Sequence, residues 1–244
     1  MRTRLQGGFP EAIKRTGVRS ARFFDSYVDD LIDRDVIQLA EIHRRGELRR
    51  LLRLLAGSMA QPLKVERIAS EVGLPATTAE RYISLLEEVF LIKRLDGWTS
   101  SVTGRAVGLR KTLFVDSGLA ANICGLTMAR LRRTDSLVGP LMENFVIGEI
   151  ARQLTWAQTR AQLFHYRTKD HVEVDAVLEA ADGRIVGIEI KSAETVMRDD
   201  FAGLRHLQSR LGDRFHMGLV LYSGKTVGSF GERFLAAPID LLWQ

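Results

Sequence analysis

The sequence predicts a mixed α/β (α+β) protein with a helical first half and a strand-rich second half. Leucines at helical spacing between residues 47 and 91 indicate packed amphipathic helices. The stretch 172–191, VEVDAVLEAADGRIVGIEIK, alternates apolar and polar residues on both sides of Asp182-Gly183, which signals a β-hairpin. After residue 140 the pattern reads helix, three strands, helix, strand. With 244 residues, 45% of them hydrophobic, the chain can bury a sizeable core in one or two domains.

Residues 1–8 are polar and basic, and Gly7-Gly8-Phe9-Pro10 is a turn by composition. Arg22–Asp35 follows as a helix with Phe23, Tyr27 and Leu31 on one stripe and Asp25, Asp29, Asp30 and Asp33 on a solvated face. This helical segment, 1–45, precedes a second region, 46–128. There Glu47–Gly57 carries the stripe Leu48, Leu51, Leu52 and Leu55, and Lys64–Val72 forms a second helix. A break at 73–76 leads to a third helix, Ala79 to about Leu91, with Thr77 or Thr78 as its cap. Two helices around such a break have helix-turn-helix character. Strands at Phe90–Leu95 and Lys111–Val115 complete a winged helix.

A winged helix places its third helix in the major groove of DNA, which makes Thr77, Thr78, Arg81, Lys93, Arg94, Arg105 and Arg110 candidate contacts. The same helix carries Glu80, Glu87 and Glu88, which phosphates repel, so a protein partner is the alternative. Charge favours an acidic partner upstream: residues 1–135 hold 23 Lys/Arg against 16 Asp/Glu, and residues 136–244 hold 12 against 14.

Asp116–Leu126 reads as a short helix capped by Asp116 or Ser117, with Cys124 as a small buried hydrophobe. A linker over 129–138 separates it from a C-terminal domain, 136–244. That domain contains a helix at Leu141–Leu154, strands at Gln162–Arg167 and on both sides of Asp182-Gly183, and a helix at Asp199–Leu211. A fully apolar strand at His216–Tyr222 and a last short strand at Ile239–Trp243 follow. Strand alternation puts Val174, Ala176 and Leu178 on one side, Glu173 and Asp175 on the other. It likewise separates Ile188 and Ile190 from Glu189 and Lys191. Two carboxylates, Asp175 and Glu189, gathered beside Lys191 would suit a hard divalent cation and a scissile phosphate.

Asp175 followed by Glu189-Ile190-Lys191 resembles the signature of the PD-(D/E)XK nuclease superfamily, and the order of elements is that superfamily's αβββαβ core. The resemblance implies a restriction-endonuclease-like fold with Asp175, Glu189 and Lys191 as catalytic residues. It implies Mg2+ held by Asp175 and Glu189, and a further acid on the first helix, Glu143, with Glu149 second. Gln153 or Arg167 would touch the nucleic-acid backbone. Many members keep the fold without cleaving anything, so a non-catalytic DNA- or protein-binding module is the rival expectation.

Read end to end, the chain resembles the C-terminal part of prokaryotic AAA-type ATP-binding proteins with a winged helix and a PD-(D/E)XK-like domain. The matching stretches are GGFPEA (7–12), FFDSYVDDLIDRDV (23–36), LEEVFLIKRLDGW (86–98), LFVDSGLAANICG (113–125), LMENFVIGEI (141–150), HYRTKDHVEVDAVLE (165–179) and GIEIKSAETV (187–196). The family's ATPase domain would precede Met1. The chain has no Walker A loop, since Gly218 lies one residue too far from Gly224-Lys225-Thr226, and ATP is not expected. A single cysteine excludes an internal disulfide and a cysteine zinc site, and no apolar run reaches membrane-spanning length. The expected location is the cytoplasm, away from membranes.

Overall fold

The computed structural model describes residues 7–36, 45–101, 105, 109–127, 130 and 135–243. The chain divides into two compact units. One comprises Met1–Arg94 with Lys111–Phe145, the other Leu95–Arg110 with Val146–Gln244.

The first unit opens with α1 (Pro10–Ile13), α2 (Val18–Leu31) and a π turn over Ile32–Val36. Then come α3 (Arg45–Gly57), α4 (Val65–Val72), α5 (Ala76–Glu88), the two-stranded sheet β1 (Ile92–Leu95) with β2 (Lys111–Phe114), and α6 (Ser117–Ile123). The leucine stripe of α3 is its core: Leu48, Leu51, Leu52 and Leu55 are buried with Ile68 and Val72 of α4 and Tyr82, Ile83 and Leu86 of α5. Each such leucine contributes about 1.5–3 kcal/mol by leaving water. Between α4 and α5 the chain reverses at Gly73, and the Leu74 N–H closes the end of α4 on the Ala69 carbonyl at 2.9 Å. Helix α5 begins earlier than its sequence suggests. Pro75 occupies the cap position and its carbonyl accepts from the N–H groups of Thr78 and Ala79. Thr77 and Thr78 therefore sit in the first turn and neither caps the helix. Asp116 does cap α6, accepting from the Leu119 N–H at 2.8 Å. Its other carboxylate oxygen accepts from the Gly8 N–H at 2.5 Å, which fastens the Gly-Gly-Phe-Pro turn to α6.

Helix α7 (Val138–Gln153) runs on from residues of the first unit to residues of the second. The second unit is built on a six-stranded sheet of order β3-β4-β5-β6-β8-β7. Its strands are β3 (Ala161–Arg167), β4 (Glu173–Ala180), β5 (Ile185–Lys191), β6 (Phe215–Tyr222), β7 (Gly228–Gly231) and β8 (Phe234–Pro238). β3, β4 and β5 are antiparallel neighbours, β5, β6 and β8 are parallel, and β7 returns antiparallel to β8. The β4–β5 turn is made where Asp182-Gly183 predicts it: Gly183 has φ +83°, and the Asp182 carboxylate accepts from the Arg184 N–H at 3.0 Å. Between β5 and β6 lie a 3-10 turn (Arg198–Phe201) and α8 (Ala202–Leu211), whose Leu204 and Leu207 are fully buried. α8 approaches so closely that a Cβ on Gly203 would lie 2.1 Å from the Glu173 carbonyl oxygen.

Three expectations are corrected. Ile239–Trp243 is a 3-10 turn, and the last strands are β7 and β8. The run Phe234-Leu-Ala-Ala is short enough to escape notice, yet it supplies the parallel neighbour that β6 needs on its second edge. The strict alternation expected along β4 also fails. The β3–β4 register passes from Phe164↔Val177 to Tyr166↔Val174, so Asp175 and Ala176 together face the single residue His165. This β-bulge brings Val174 and Val177, three residues apart, into one core cluster with Leu204 and Leu207. Glu189 and Lys191 share the face of Gly187, which α8 covers, so they stand beside the core on the helix side of the sheet and not on a face opposite to it.

The last residue of β1, Leu95, and the residues from there to β2 belong to the second unit. Gly97 bridges His165 in parallel, the Trp98 N–H donates to the His165 carbonyl at 2.6 Å, and the His165 N–H donates to the Asp96 carbonyl at 3.0 Å. The free edge of β3 is thereby covered.

Candidate functional site

At the carboxyl end of β5, the register of β4 against β5 runs from Glu179↔Ile185 to Ala176↔Ile188. Just beyond it, Asp175 on the bulge turns its side chain into the ladder, and its Oδ2 accepts from the Ile190 N–H at 2.8 Å. Lys191 Nζ donates to Glu189 Oε1 at 3.0 Å and lies 3.8 Å from Asp200 Oδ1. Asp200 is fixed in turn, because its Oδ2 accepts from the Met197 N–H at 2.7 Å at the start of the 3-10 turn. Two carboxylates thus flank one ammonium, and the charge of Asp175 also acts on it. Burial by itself lowers the pKa of Lys191. The charge and hydrogen bond of Glu189, with the charges of Asp175 and Asp200, together outweigh that effect, and the pKa stands above the ordinary lysine value. The side chains are partly shielded, Lys191 being 33% exposed and Glu189 15%.

Among the described residues, no group of three or more His, Cys, Asp or Glu side chains is gathered to suit a metal ion. Mg2+ needs only one or two protein carboxylates, completing its octahedron with water and phosphate oxygens, and Asp175 and Glu189 are the carboxylates that this end of β5 could offer it.

Glu143 falls in the first unit. Its Oε1 accepts from Lys111 Nζ at 2.5 Å, and both side chains are shielded from solvent. The neighbouring Asn144 joins the same strand, accepting from the Phe114 N–H at 2.7 Å and donating to its carbonyl at 3.0 Å. Glu149 is paired with Arg152 and accepts from Trp243 Nε1 at 3.2 Å. Gln153 donates to the Leu242 carbonyl, and Arg167 is bound by Glu173 and His171.

The candidate DNA contacts divide. Thr77, Arg81 and Lys93 are exposed, and Thr78 and Arg110 are half-buried. Arg94 is held on α5: Nε donates to Glu87 Oε2 at 2.6 Å, one terminal nitrogen to Glu80 and the other to Ser84 Oγ at 3.2 Å. Burial opposes its charge, but the two glutamates raise its pKa further. Arg105 lies in the second unit, paired with Glu179 at 2.6 Å and lying over the rings of Trp98 and Phe164. Glu179 also takes Arg214 at 2.8 Å and accepts from Trp98 Nε1 at 3.3 Å.

Sequence reasoning missed Asp200 and Glu179. Asp200 has one signal, an Asp-Asp pair opening a helix, which reads as a response to the helix dipole. Glu179 has none, because its partners are remote in sequence.

The family model of a domain of unknown function, DUF8612, matches residues 2–130, and that of a second, DUF4143, matches residues 138–242. Similar proteins include an uncharacterized protein of Mycobacterium bovis and one of Mycobacterium tuberculosis. Each is 26% identical over 240 residues, or 97% of this chain. The chain spans about half the length of these relatives, 52% of each. Among the described residues, no helix is long and apolar enough to cross a membrane.

Proposed function

The chain belongs to the family of the domain of unknown function DUF8612, and we propose, on the residues of its second unit, that it is a nuclease-like, DNA-associated protein hydrolysing phosphodiesters with Mg2+. The observation that carries the reading is Asp175 at the bulge, bound to the Ile190 N–H beside the Glu189–Lys191 pair. In this reading the second unit is a PD-(D/E)XK domain, and α3, α4, α5 and the β1–β2 sheet are a winged helix. Asp175 and Glu189 would hold the ion, which when bound supplies a polarised phosphoryl oxygen and a more acidic water. Lys191, kept protonated by its carboxylates, stabilises the negative charge that grows on the phosphoryl oxygens. A water oxygen forms the new bond to phosphorus, the bond to the leaving oxygen breaks, and the proton passes to that oxygen. Glu143, paired with Lys111, is assigned no step in this reading. Exposed Thr77, Arg81 and Lys93, with half-buried Thr78 and Arg110, would be the contacts with DNA.

The test is cleavage of supercoiled and linear plasmid with Mg2+ or Mn2+, beside a Lys191→Ala protein. Activity is expected in the first and not the second; equal activity in both, or none in either, sinks the catalytic reading.

A second reading is a non-catalytic module that holds DNA or a protein partner. It is favoured by Arg94 and Arg105, which are engaged by carboxylates of this same chain. Calorimetry discriminates: DNA or partner binding with no heat from Mg2+ or Mn2+ supports the second reading over the first.

A further inference from the structure

We infer that Asp200 is a positioning residue for Lys191, receiving its ammonium when Glu189 holds a divalent cation. The inference rests on the reading of Asp175 and Glu189 as cation ligands. As the side chains stand, Glu189 Oε1 is occupied by Lys191 Nζ at 3.0 Å. Holding a cation on that carboxylate brings a second positive charge against the ammonium, and like charges at such range repel even when partly screened. Lys191 must then release Glu189 and still keep a partner, or leave the site.

Asp200 is placed to be that partner. Its Oδ1 lies 3.8 Å from Nζ, too long for a full hydrogen bond, and a rotation moving Nζ by about 1 Å makes one. Asp200 is also held still. Its Oδ2 is anchored on the Met197 N–H at 2.7 Å, and the next residue, Phe201, is fully buried. Two residues on, Gly203 lies against the Glu173 carbonyl with no room for a Cβ. A fixed acceptor on one side and an exchangeable one on the other let Lys191 change partner while staying over the site. Asp200 thus acts through Lys191 and not on the cation.

The test is a double-mutant cycle in Mn2+ affinity, measured calorimetrically on the full chain: wild type, Asp200→Asn, Lys191→Met and both together. Asparagine keeps the acceptor for the Met197 N–H, so the turn persists. Asp200→Asn is expected to weaken Mn2+ binding about two- to fivefold, the worth of one partly exposed ion pair. In the Lys191→Met background the same change is expected to do nothing, and Asp200→Glu to recover wild-type affinity within about twofold. Equal loss in both backgrounds means that Asp200 acts on the cation itself and overturns the inference, as does no loss in the wild-type background. A wild-type protein that takes up no Mn2+ fails at the first arm, and there the cation site itself falls.

Discussion

Replacing Glu143 by Gln is expected to destabilise the first unit by about 3–5 kcal/mol. Lys111 Nζ and Glu143 Oε1 lie 2.5 Å apart, with Lys111 2% and Glu143 11% exposed. At an effective dielectric constant of about 20, charges at that separation attract by about 7 kcal/mol. Desolvation of the two ions offsets most of this, so the pair itself adds little to stability. Removing only the carboxylate is different, because the buried ammonium then loses the carboxylate 2.5 Å away. The assay is urea unfolding followed by circular dichroism on wild type, Glu143→Gln and the double variant Lys111→Met/Glu143→Leu. The double variant is expected within about 1 kcal/mol of wild type, or above it. A Glu143→Gln protein within about 0.5 kcal/mol of wild type would refute the buried pair. So would a double variant as unstable as the single one.

Other consequences are as specific. Arg94→Ala should cost about 2–3 kcal/mol, with Lys recovering only part, because a point charge cannot serve Glu87, Glu80 and Ser84 as the planar fork does; urea unfolding checks both. Glu179→Gln should speed amide exchange at Trp98 and His165 by about tenfold, since Arg105, Arg214 and the Trp98 indole lose their shared carboxylate; unchanged exchange would mean that the backbone bonds alone hold residues 96–98. Burial raises the Cys124 thiol pKa, against a smaller opposing effect of Arg130. Its alkylation at pH 8 should therefore lag behind that of the unfolded chain. The sign for stability follows: the unfolded thiol ionises first as pH rises, so this group weakens the fold only above the ordinary thiol value.

Local signals in the sequence carry much of the architecture. The leucines of 48–55 recur at helical spacing, and their stripe is the core of α3. Asp182-Gly183 sets the β4–β5 turn, because a tight reversal there needs the positive φ of Gly183. What alternation alone does not reveal is the bulge at Asp175-Ala176, a property of the pairing with His165 that depends on both strands. Glu143 is the plainest case. Its helix is legible, but its partner lies 32 residues earlier on β2, so the charge that engages it is out of reach of any local pattern. The same holds for Arg105, whose partner Glu179 lies on a strand of the other half of the sequence. Thr77 and Thr78 have the chemistry of caps, and Pro75 pre-empts them by opening the helix earlier.

The most direct measurement is the single-turnover rate of plasmid cleavage at saturating Mn2+ for wild type, Asp175→Asn and Lys191→Ala, each shown to be folded by its melting curve. The expected result is measurable cleavage by wild type and losses of about a hundredfold or more in each variant, the scale on which a positioned charge acts on a phosphoryl transition state. Cleavage by wild type that survives both substitutions within about threefold would contradict a site built on Asp175, Glu189 and Lys191. No cleavage by a folded wild type would leave these residues to the non-catalytic reading.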